Sequence, residues 1–179
     1  MSVVYKKEAN NRNNRLIIEN ASIIFRNFSG RESKYNNAGN RNFCVFIDDE
    51  SVADQLTEDG WNVRILAARD DDEPARHYLP VAVNYGVKPP TLYLETRKKQ
   101  TLLSEDTVGQ LDYADIVNAD IVLNPRYWVD DRTGTEHVKA YIRSGHFTIE
   151  EDEFADKYDR DEAPGMTTNR KSYNSFNGN

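Results

Sequence analysis

The sequence predicts an all-β protein built mainly from antiparallel strands, arranged either as a closed barrel or as a sandwich. Short runs rich in branched and aromatic residues recur along the chain, and turns rich in Gly, Pro, Asn and Asp separate them. A hydrophobic fraction of 38% suits a globular domain. The predicted helices are too few and too short to supply the crossovers of a parallel α/β sheet.

The order of the elements follows from these patterns. The first fourteen residues are rich in Asn, carry Lys6, Lys7 and Arg12 and show no periodicity, so residues 1–14 are predicted to form a flexible basic arm. Residues 15–158 are predicted to form one domain. Its strands are expected in LIIENASIIFRNF, RNFCVFI, WNVRILAA, HYLPVAVNY and TLYLET, and in residues 116–123, 127–129 and 138–149.

Two or three short helices are expected between and after the strands. ESVADQLTED has acids in its first turn and is followed by Gly60, and SEDTVGQLD begins with Ser104 as an N-cap. A further helical turn or two is expected over residues 151–158. Residues 127–129 should pair with residues 138–149 across a turn at 130–134. Residues 159–179 have little to bury and are predicted to be a disordered tail.

The charge is distributed unevenly along the chain. The net charge is −7, but residues 150–162 hold eight acids and two bases, which leaves −1 for the rest. An acidic total therefore does not exclude nucleic acid as a partner. No run approaches the roughly 20 apolar residues of a membrane span, and no signal-peptide core is present, so the protein is expected to stay where it is made.

Signatures of enzymes are scarce. The sequence contains no glycine-rich dinucleotide fingerprint, no Walker loop and no His-Glu-x-x-His. Cys44, the single cysteine, is interpreted as a small buried residue rather than a nucleophile, and it excludes an internal disulfide. His77, His137 and His146 lack ligand spacing, and the acidic turns are interpreted as solvated. No catalytic residue, metal or cofactor is predicted.

The run KAYIR, residues 139–143, is unusual for an exposed strand. Its alternation places Lys139, Tyr141 and Arg143 on one face and Ala140 and Ile142 on the other. A solvated face needs charge, but it does not need a tyrosine between two charges. A flat ring beside a cation suits single-stranded nucleic acid, because an unpaired base stacks on the ring while the cation meets a phosphate.

The same spacing of cation and aromatic recurs in other strands and near the turns. Arg26 and Phe28 are two residues apart in IIFRNF, and Arg41 and Phe43 are two apart in RNFCVFI. The predicted DNA-binding residues are Arg26, Phe28, Lys34, Tyr35, Arg41, Phe43, Arg64, Arg97, Lys98, Lys99, Trp128, Lys139, Tyr141 and Arg143.

The aromatic residues must also build the core, and the pattern divides them. Phe25, Phe46, Phe147 and Trp61 are predicted to be buried. For Phe28, Tyr35, Phe43 and Trp128 the alternation is compatible with either the core or a DNA-binding surface, because each lies beside a cation or a loop.

Longer runs of the sequence carry a resemblance as well. They are IIFRNFSGRESKYNNAGNRNFCVFID, LTEDGWNVR, HYLPVAV, LLSEDTVGQLDYADI, and VKAYI followed by TIEEDEFADKY. Together they span residues 16–158 and resemble bacteriophage single-stranded DNA-binding proteins. The resemblance implies an OB-fold, a small barrel whose groove holds the strand. It also implies a protein that coats single-stranded DNA in phage replication, recombination or repair, in the cytoplasm of an infected bacterial host.

One departure from many single-strand binders concerns the C-terminal end. The acidic block at residues 150–162 is followed by an uncharged-to-basic tail, so a docking motif at the tip of the tail is in doubt. The block could occupy the DNA groove when the groove is empty, contact phage or host replication proteins, or act only as a solubilising linker after the last strand. Self-association stays open. Two other functions stay open too: a non-catalytic β-sandwich module such as a virion component, and a metal-dependent nuclease that uses clustered acids.

Overall fold

The computed structural model describes residues 1–10 and 13–151. Within these residues the chain forms ten strands, one α-helix and one 3₁₀ helix. They are β1 Ser2–Lys6, β2 Arg15–Glu19, β3 Ile23–Asn27, β4 Arg41–Phe46, α1 Glu50–Glu58, β5 Arg64–Leu66, β6 Arg76–Val83, β7 Thr91–Glu95, β8 Gln100–Leu103, the 3₁₀ helix Val108–Asp112, β9 Ile116–Val129 and β10 Glu136–Ile149.

The described strands form one sheet, in the order β1-β2-β9-β10-β6-β4-β3. β5 adds to β6, and β7 lies between β10 and β8. All pairings are antiparallel except those of β10 with β6 and with β7, so the expectation of a mainly antiparallel all-β protein is confirmed. β9 and β10 form the predicted hairpin, closed by a backbone hydrogen bond of 2.9 Å from Asp130 N–H to Thr135 O. The sequence predicts two separate strands over residues 116–123 and 127–129, but the structure has a single strand, β9, over this whole range.

β10 changes partner half-way along its length. Ala140 and Tyr141 pair with β6, whereas residues 144–148 pair with β7. Between these halves Arg143 is an extra residue relative to β9, because Ile142 pairs with Leu123 and Ser144 pairs with the very next residue of β9. A bulge of this kind bends a strand and raises its twist. It divides β10 into a groove half, residues 137–141, and a distal half, residues 144–148.

Buried apolar side chains of the described residues form one hydrophobic core cluster. Phe28, Phe43 and Phe147 are fully buried at its centre, with the rings of Phe28 and Phe43 stacked 5.0 Å apart. α1 adds Ala53 and Leu56 to this cluster. Burial of each large apolar side chain stabilises the fold by roughly 1.5–3 kcal/mol. No helix among the described residues is long and apolar enough to cross a membrane.

The helix predictions are partly confirmed. The carboxylate of Asp49 caps α1 by accepting a 3.2 Å hydrogen bond from Val52 N–H, and Gly60 follows the helix with φ +89°. The second predicted helix is a shorter 3₁₀ helix, because residues 104–107 form a turn in which Ser104 N–H donates to the Thr107 hydroxyl. Residues 152–158 and the predicted tail lie outside the described residues.

The prediction of a flexible arm over residues 1–14 is wrong for Ser2–Lys6. These residues pair along their whole length with β2. Tyr5 OH donates to Asp59 Oδ2 at 2.9 Å, and Lys7 Nζ lies 2.8 Å from Asp59 Oδ1. The apolar run is too short to be recognised from periodicity. Residues 2–6 form a strand because they pair with β2 and because Tyr5 and Lys7 contact Asp59 at the end of α1.

The prediction that Phe25 is buried is also wrong, since 61% of it is exposed. Phe25 has a left-handed backbone with φ +50°, and the pairing of β3 with β4 is irregular between Ile24 and Asn27. This irregularity turns Phe25 outward against Tyr78, with their rings 6.1 Å apart, and turns Phe28 into the core. Trp61, Phe46 and Phe147 are buried as predicted.

Candidate nucleic-acid interface

A groove of about 1140 Å³ crosses the sheet at β4, β6 and the groove half of β10. The loop after β3 and the chain that links α1 to β5 form its sides. Aromatic side chains and cations alternate in its lining, as the KAYIR pattern predicts for a surface that holds nucleic acid. The aromatic residues are Trp61, Tyr85, Trp128, His137 and Tyr141, and the cations are Arg41, Arg64 and Lys139.

The floor of the groove contains a row of side chains that crosses three strands. Tyr141 on β10 is in register with Ala82 on β6, and Ala82 is in register with Asn42 on β4. Ala140 and Ile142 on either side of Tyr141 are buried in the core, so the alternation predicted for this part of β10 is confirmed. The small side chain of Ala82 leaves open space between the tyrosine ring and the amide.

Lys139 and Tyr141 form the pair of cation and ring that the sequence indicates. The ammonium nitrogen of Lys139 lies 5.4 Å from the centre of the Tyr141 ring. Lys139 is exposed, so its ammonium group faces solvent. It can contact a phosphate without first breaking a buried ion pair.

Trp128 and His137 form a second aromatic surface at the end of the groove. The two residues are in register across the β9–β10 hairpin, and their rings stack with centres 4.7 Å apart at 27°. Half of Trp128 is exposed. Sequence reasoning predicts Trp128 but misses His137. The hairpin register was the signal that could have found it, since His137 is the residue opposite Trp128.

Trp61 belongs to the wall of the groove rather than to its exposed surface. It is 3% exposed, and its Nε1–H donates to Tyr5 OH at 3.3 Å. Burial raises the pKa of Tyr5 to about 12; the Trp61 hydrogen bond opposes this rise and Asp59 adds to it. Tyr5 therefore stays protonated at neutral pH, and β1 holds the tryptophan in place from behind.

Two arginines line the groove, and they differ in exposure and in how tightly other residues hold their guanidinium groups. Arg41 is largely buried at 17% side-chain exposure, 3.6 Å from the carboxylate of Glu105, and it donates to Ser29 O at 3.1 Å. Arg64 is exposed, and its Nε donates to Asn62 Oδ1 over a long 3.5 Å. Arg64 is therefore free to meet a ligand, whereas Arg41 first serves to join two loops.

The charge of the groove is close to balanced, since three carboxylates face the three cations in its lining. They belong to Glu58, Glu105 and Glu136. Attraction between a basic surface and phosphates is therefore weaker here than in a strongly basic channel. Stacking on the exposed rings would have to supply a large share of any affinity.

The prediction that two of the phenylalanines bind DNA is wrong. Phe28 and Phe43 are fully buried and stack on each other, so no base can reach them. Arg26 serves the fold instead of a ligand, because its Nη1 donates to Leu111 O at 2.9 Å and to Ala114 O at 2.8 Å. These carbonyls lie at the end of the 3₁₀ helix, where the helix leaves them without partners of its own.

The remaining predicted residues lie outside the groove lining. Arg143 is exposed at the bulge, and residues 97–99 form the turn between β7 and β8. Lys34 and Tyr35 are in the loop after β3, where the lysine lies 5.7 Å from the tyrosine ring and Tyr35 is 88% exposed. Their neighbour Asn36 lines the groove, so this loop borders the site without placing its predicted residues in it.

The candidate groups for catalysis or metal binding are Cys44 and the His, Asp and Glu side chains. Burial raises the pKa of the Cys44 thiol to about 11, and Arg64 nearby lowers it only in part, so the thiolate is scarce at neutral pH. Among the described residues, no group of three or more His, Cys, Asp and Glu side chains is placed to hold a metal ion.

The distal half of β10 carries another stacked pair. Tyr93 on β7 and His146 on β10 are in register, and their rings lie 5.1 Å apart at 24°. His146 Nδ1 is 2.7 Å from Glu95 Oε1. This pair lies beyond the bulge and does not line the groove.

Comparison with known proteins supplies the context for this geometry. The model of the phage ssDNA-binding domain family matches residues 5–169. The single-stranded DNA-binding protein from bacteriophage Enc34, solved in complex with ssDNA, is 8% identical with a TM-score of 0.52, over 84% of this chain and 97% of that chain. This likeness is one of fold, and it agrees with the OB-like all-β fold expected from the sequence.

Two further structures of the Enc34 protein are also similar. A C-terminal truncation is 9% identical with a TM-score of 0.49, over 84% of this chain and 97% of that chain. A third structure is 10% identical with a TM-score of 0.47, over 88% of this chain and 99% of that chain. No curated protein matches the chain.

Proposed function

The chain belongs to the phage ssDNA-binding domain family, and from this premise we propose that single-stranded DNA binds in the groove that crosses β4, β6 and the groove half of β10. Bases stack on Tyr141 and Trp128, while Lys139 and Arg64 meet phosphates. The single observation that carries this proposal is the placement of two partly exposed aromatic surfaces and an exposed cation on one groove.

The distance between the two aromatic surfaces supports binding of an extended strand. Tyr141 and His137 are four residues apart on β10, which corresponds to about 13 Å along a strand. Two bases can therefore stack at separate positions. Paired bases in a duplex cannot offer their faces in this way, so we expect unpaired DNA to bind much more tightly than duplex.

Stacking tolerates any base, which suits a protein that coats and protects DNA. We propose that this coating serves phage DNA replication, recombination or repair in the cytoplasm of the infected host. We expect no catalytic step of the protein's own. The acidic segment at residues 150–162 stays a prediction as a contact for phage or host replication proteins, and nearly all of it lies outside the described residues.

A titration of labelled poly-dT and of duplex DNA, each at several salt concentrations, tests the proposal. Poly-dT should bind more tightly, and its log affinity should fall against log salt with a slope of about −1.4, since each neutralised phosphate contributes about −0.7 and Lys139 and Arg64 are the two proposed phosphate contacts. Equal affinity for both DNAs, or no binding of poly-dT, would contradict the proposal.

The same titration repeated with Mg²⁺ or Mn²⁺ separates binding from cleavage. Labelled poly-dT should stay intact under both conditions. Shortening of the DNA upon addition of either ion would instead indicate a metal-dependent nuclease. Self-association together with indifference to all oligonucleotides would indicate a structural module.

A further inference from the structure

Asparagines are the most frequent polar residues in the groove. Five of them line it: Asn36, Asn40, Asn42, Asn62 and Asn84. An amide carries no charge, so these side chains add nothing to the attraction between protein and phosphates. Each does offer a donor and an acceptor, the two groups that the edge of a base also carries.

The orientation of Asn42 is fixed by its neighbour Asn36. The Nδ2 of Asn36 is surrounded by three backbone carbonyls, those of Arg31 at 2.8 Å, Asn40 at 3.0 Å and Asn37 at 3.1 Å. An oxygen could not occupy that place, so the Oδ1 of Asn36 faces Asn42 and accepts from its Nδ2 at 2.9 Å. The Oδ1 of Asn42 is thereby left as an acceptor.

The side-chain amide of Asn84 is also fixed, but here the oxygen is held and the nitrogen is left to face the groove. Its Oδ1 accepts a 2.7 Å hydrogen bond from the backbone N–H of Gly86. A backbone N–H can only donate, so the oxygen must point toward it and the Nδ2 must point elsewhere. Asn84 is exposed and lines the groove, and it therefore presents a donor to whatever occupies that space.

The two amides flank the place beside Tyr141. Asn42 is in register with Ala82, which is in register with Tyr141. Asn84 follows two residues after Ala82, just past the end of β6, and lines the same groove. A base that stacks on Tyr141 and extends over the small Ala82 side chain would direct its edge at Asn42 and Asn84. One amide offers an acceptor and the other a donor.

We propose that Asn42 and Asn84 read the edge of the base held at Tyr141 and so distinguish amino bases from keto bases. Adenine and cytosine carry an exocyclic amine donor beside a ring-nitrogen acceptor, and guanine and thymine carry an exocyclic oxygen acceptor beside a ring N–H donor. The bound strand runs in one direction, so each base presents its edge to the two asparagines in one orientation. A fixed donor and a fixed acceptor therefore match the edge groups of one pair of bases better than those of the other pair. This inference rests on the proposed binding of single-stranded DNA.

Oligo-dC and oligo-dT of equal length, at neutral pH and constant salt, test the inference in the full chain. Their affinities should differ by about fivefold or more, the lower end for one well-formed base-edge pair. Asn84→Asp keeps the acceptor for Gly86 N–H but replaces the donor by a second acceptor. Its ratio of affinities for the two oligonucleotides should differ from that of the unaltered protein by about fivefold or more, because one group of the base edge then faces an acceptor in place of a donor.

Asn62→Asp is the matched control, because it adds the same charge to the groove away from the row at Ala82. It should weaken both oligonucleotides alike and leave their ratio unchanged. Equal affinities of the unaltered protein for both, or the same ratio change in the two Asp variants, would overturn base reading while single-strand binding stands. Failure to bind either oligonucleotide would overturn the proposed function as well.

Discussion

Two stacked aromatic pairs lie on the sheet with nearly the same geometry, one in each half of β10. Trp128 and His137 stack at 4.7 Å and 27°, and Tyr93 and His146 stack at 5.1 Å and 24°. Each pair joins β10 to a neighbouring strand in register. Judged from ring geometry alone, either pair could hold a base.

Their surroundings separate them. The groove pair opens onto a cavity that Lys139 also lines. In the distal pair, His146 Nδ1 lies 2.7 Å from Glu95 Oε1, and Asp120 on β9 is in register with His146. A carboxylate beside a stacking surface repels phosphates and occupies the donors of the ring. The comparison teaches that the free space beside a pair and the hydrogen-bonding state of its histidine, rather than the ring geometry itself, distinguish the two surfaces.

The largest expected difference between the halves concerns one tyrosine in each. Tyr141→Ala should weaken the binding of poly-dT by about 1–3 kcal/mol, because one stacked base loses its platform. Tyr93→Ala, the same truncation in the distal half, should leave the affinity within twofold of the unaltered protein, a difference of about 0.4 kcal/mol. Fluorescence titrations of both variants measure this difference.

Thermal unfolding of the two tyrosine variants shows whether the comparison is sound. Both side chains are half-buried, so both variants should remain folded. If Tyr141→Ala unfolds the protein, Tyr141 belongs to the core and its role in binding fails. If Tyr93→Ala loses as much affinity as Tyr141→Ala, DNA also contacts the distal half.

A smaller difference is expected between the two cations of the KAYIR run. Lys139→Gln should make the slope of log affinity against log salt shallower by about 0.7, the value for one phosphate contact on single strands. Arg143→Gln removes the same charge at the bulge, outside the groove lining, and should change the slope much less. Equal changes in the two slopes would mean that the strand passes over the bulge.

The smallest effect is expected from the carboxylate of the distal pair. Glu95→Gln keeps a hydrogen-bonding partner for His146 and removes one negative charge from the sheet. Affinity for long poly-dT should rise by less than about threefold at 0.1 M salt, where charges act over about 10 Å. A large gain would show that charge alone excludes DNA from the distal half.

Periodicity located those parts of the fold that have regular strands. The alternation of KAYIR correctly places Ala140 and Ile142 in the core and Lys139 and Tyr141 outside. The same reasoning fails for Phe25 and Phe28, because the left-handed backbone at Phe25 breaks the alternation. A distant contact also holds the segment that follows it: the Asp112 carboxylate accepts from the backbone N–H of Phe28 at 2.6 Å.

The site was only partly predictable for a similar reason. Lys139, Tyr141 and Trp128 carry a local signal, a cation or aromatic on the outer face of a strand. His137 is signalled only by the hairpin register, in which it lies opposite Trp128. Asn42 and Asn84 carry no local signal, because Asn42 meets Ala82 only through the pairing of β4 with β6, and Asn84 lies just past the end of β6. Arg26 has the same local signal as Lys139, yet backbone carbonyls of a distant segment occupy its guanidinium.

The bulge at Arg143 makes the length of β10 adjustable at one point. Arg143 has no partner residue on β9, since Ile142 and Ser144 pair with the consecutive residues Leu123 and Val122. Deleting Arg143 would therefore join Ile142 to Ser144 in an unbroken ladder, and Phe147 would still point into the core. The strand would lose the local bend and twist that the bulge gives it, while its register with β9 would stay the same.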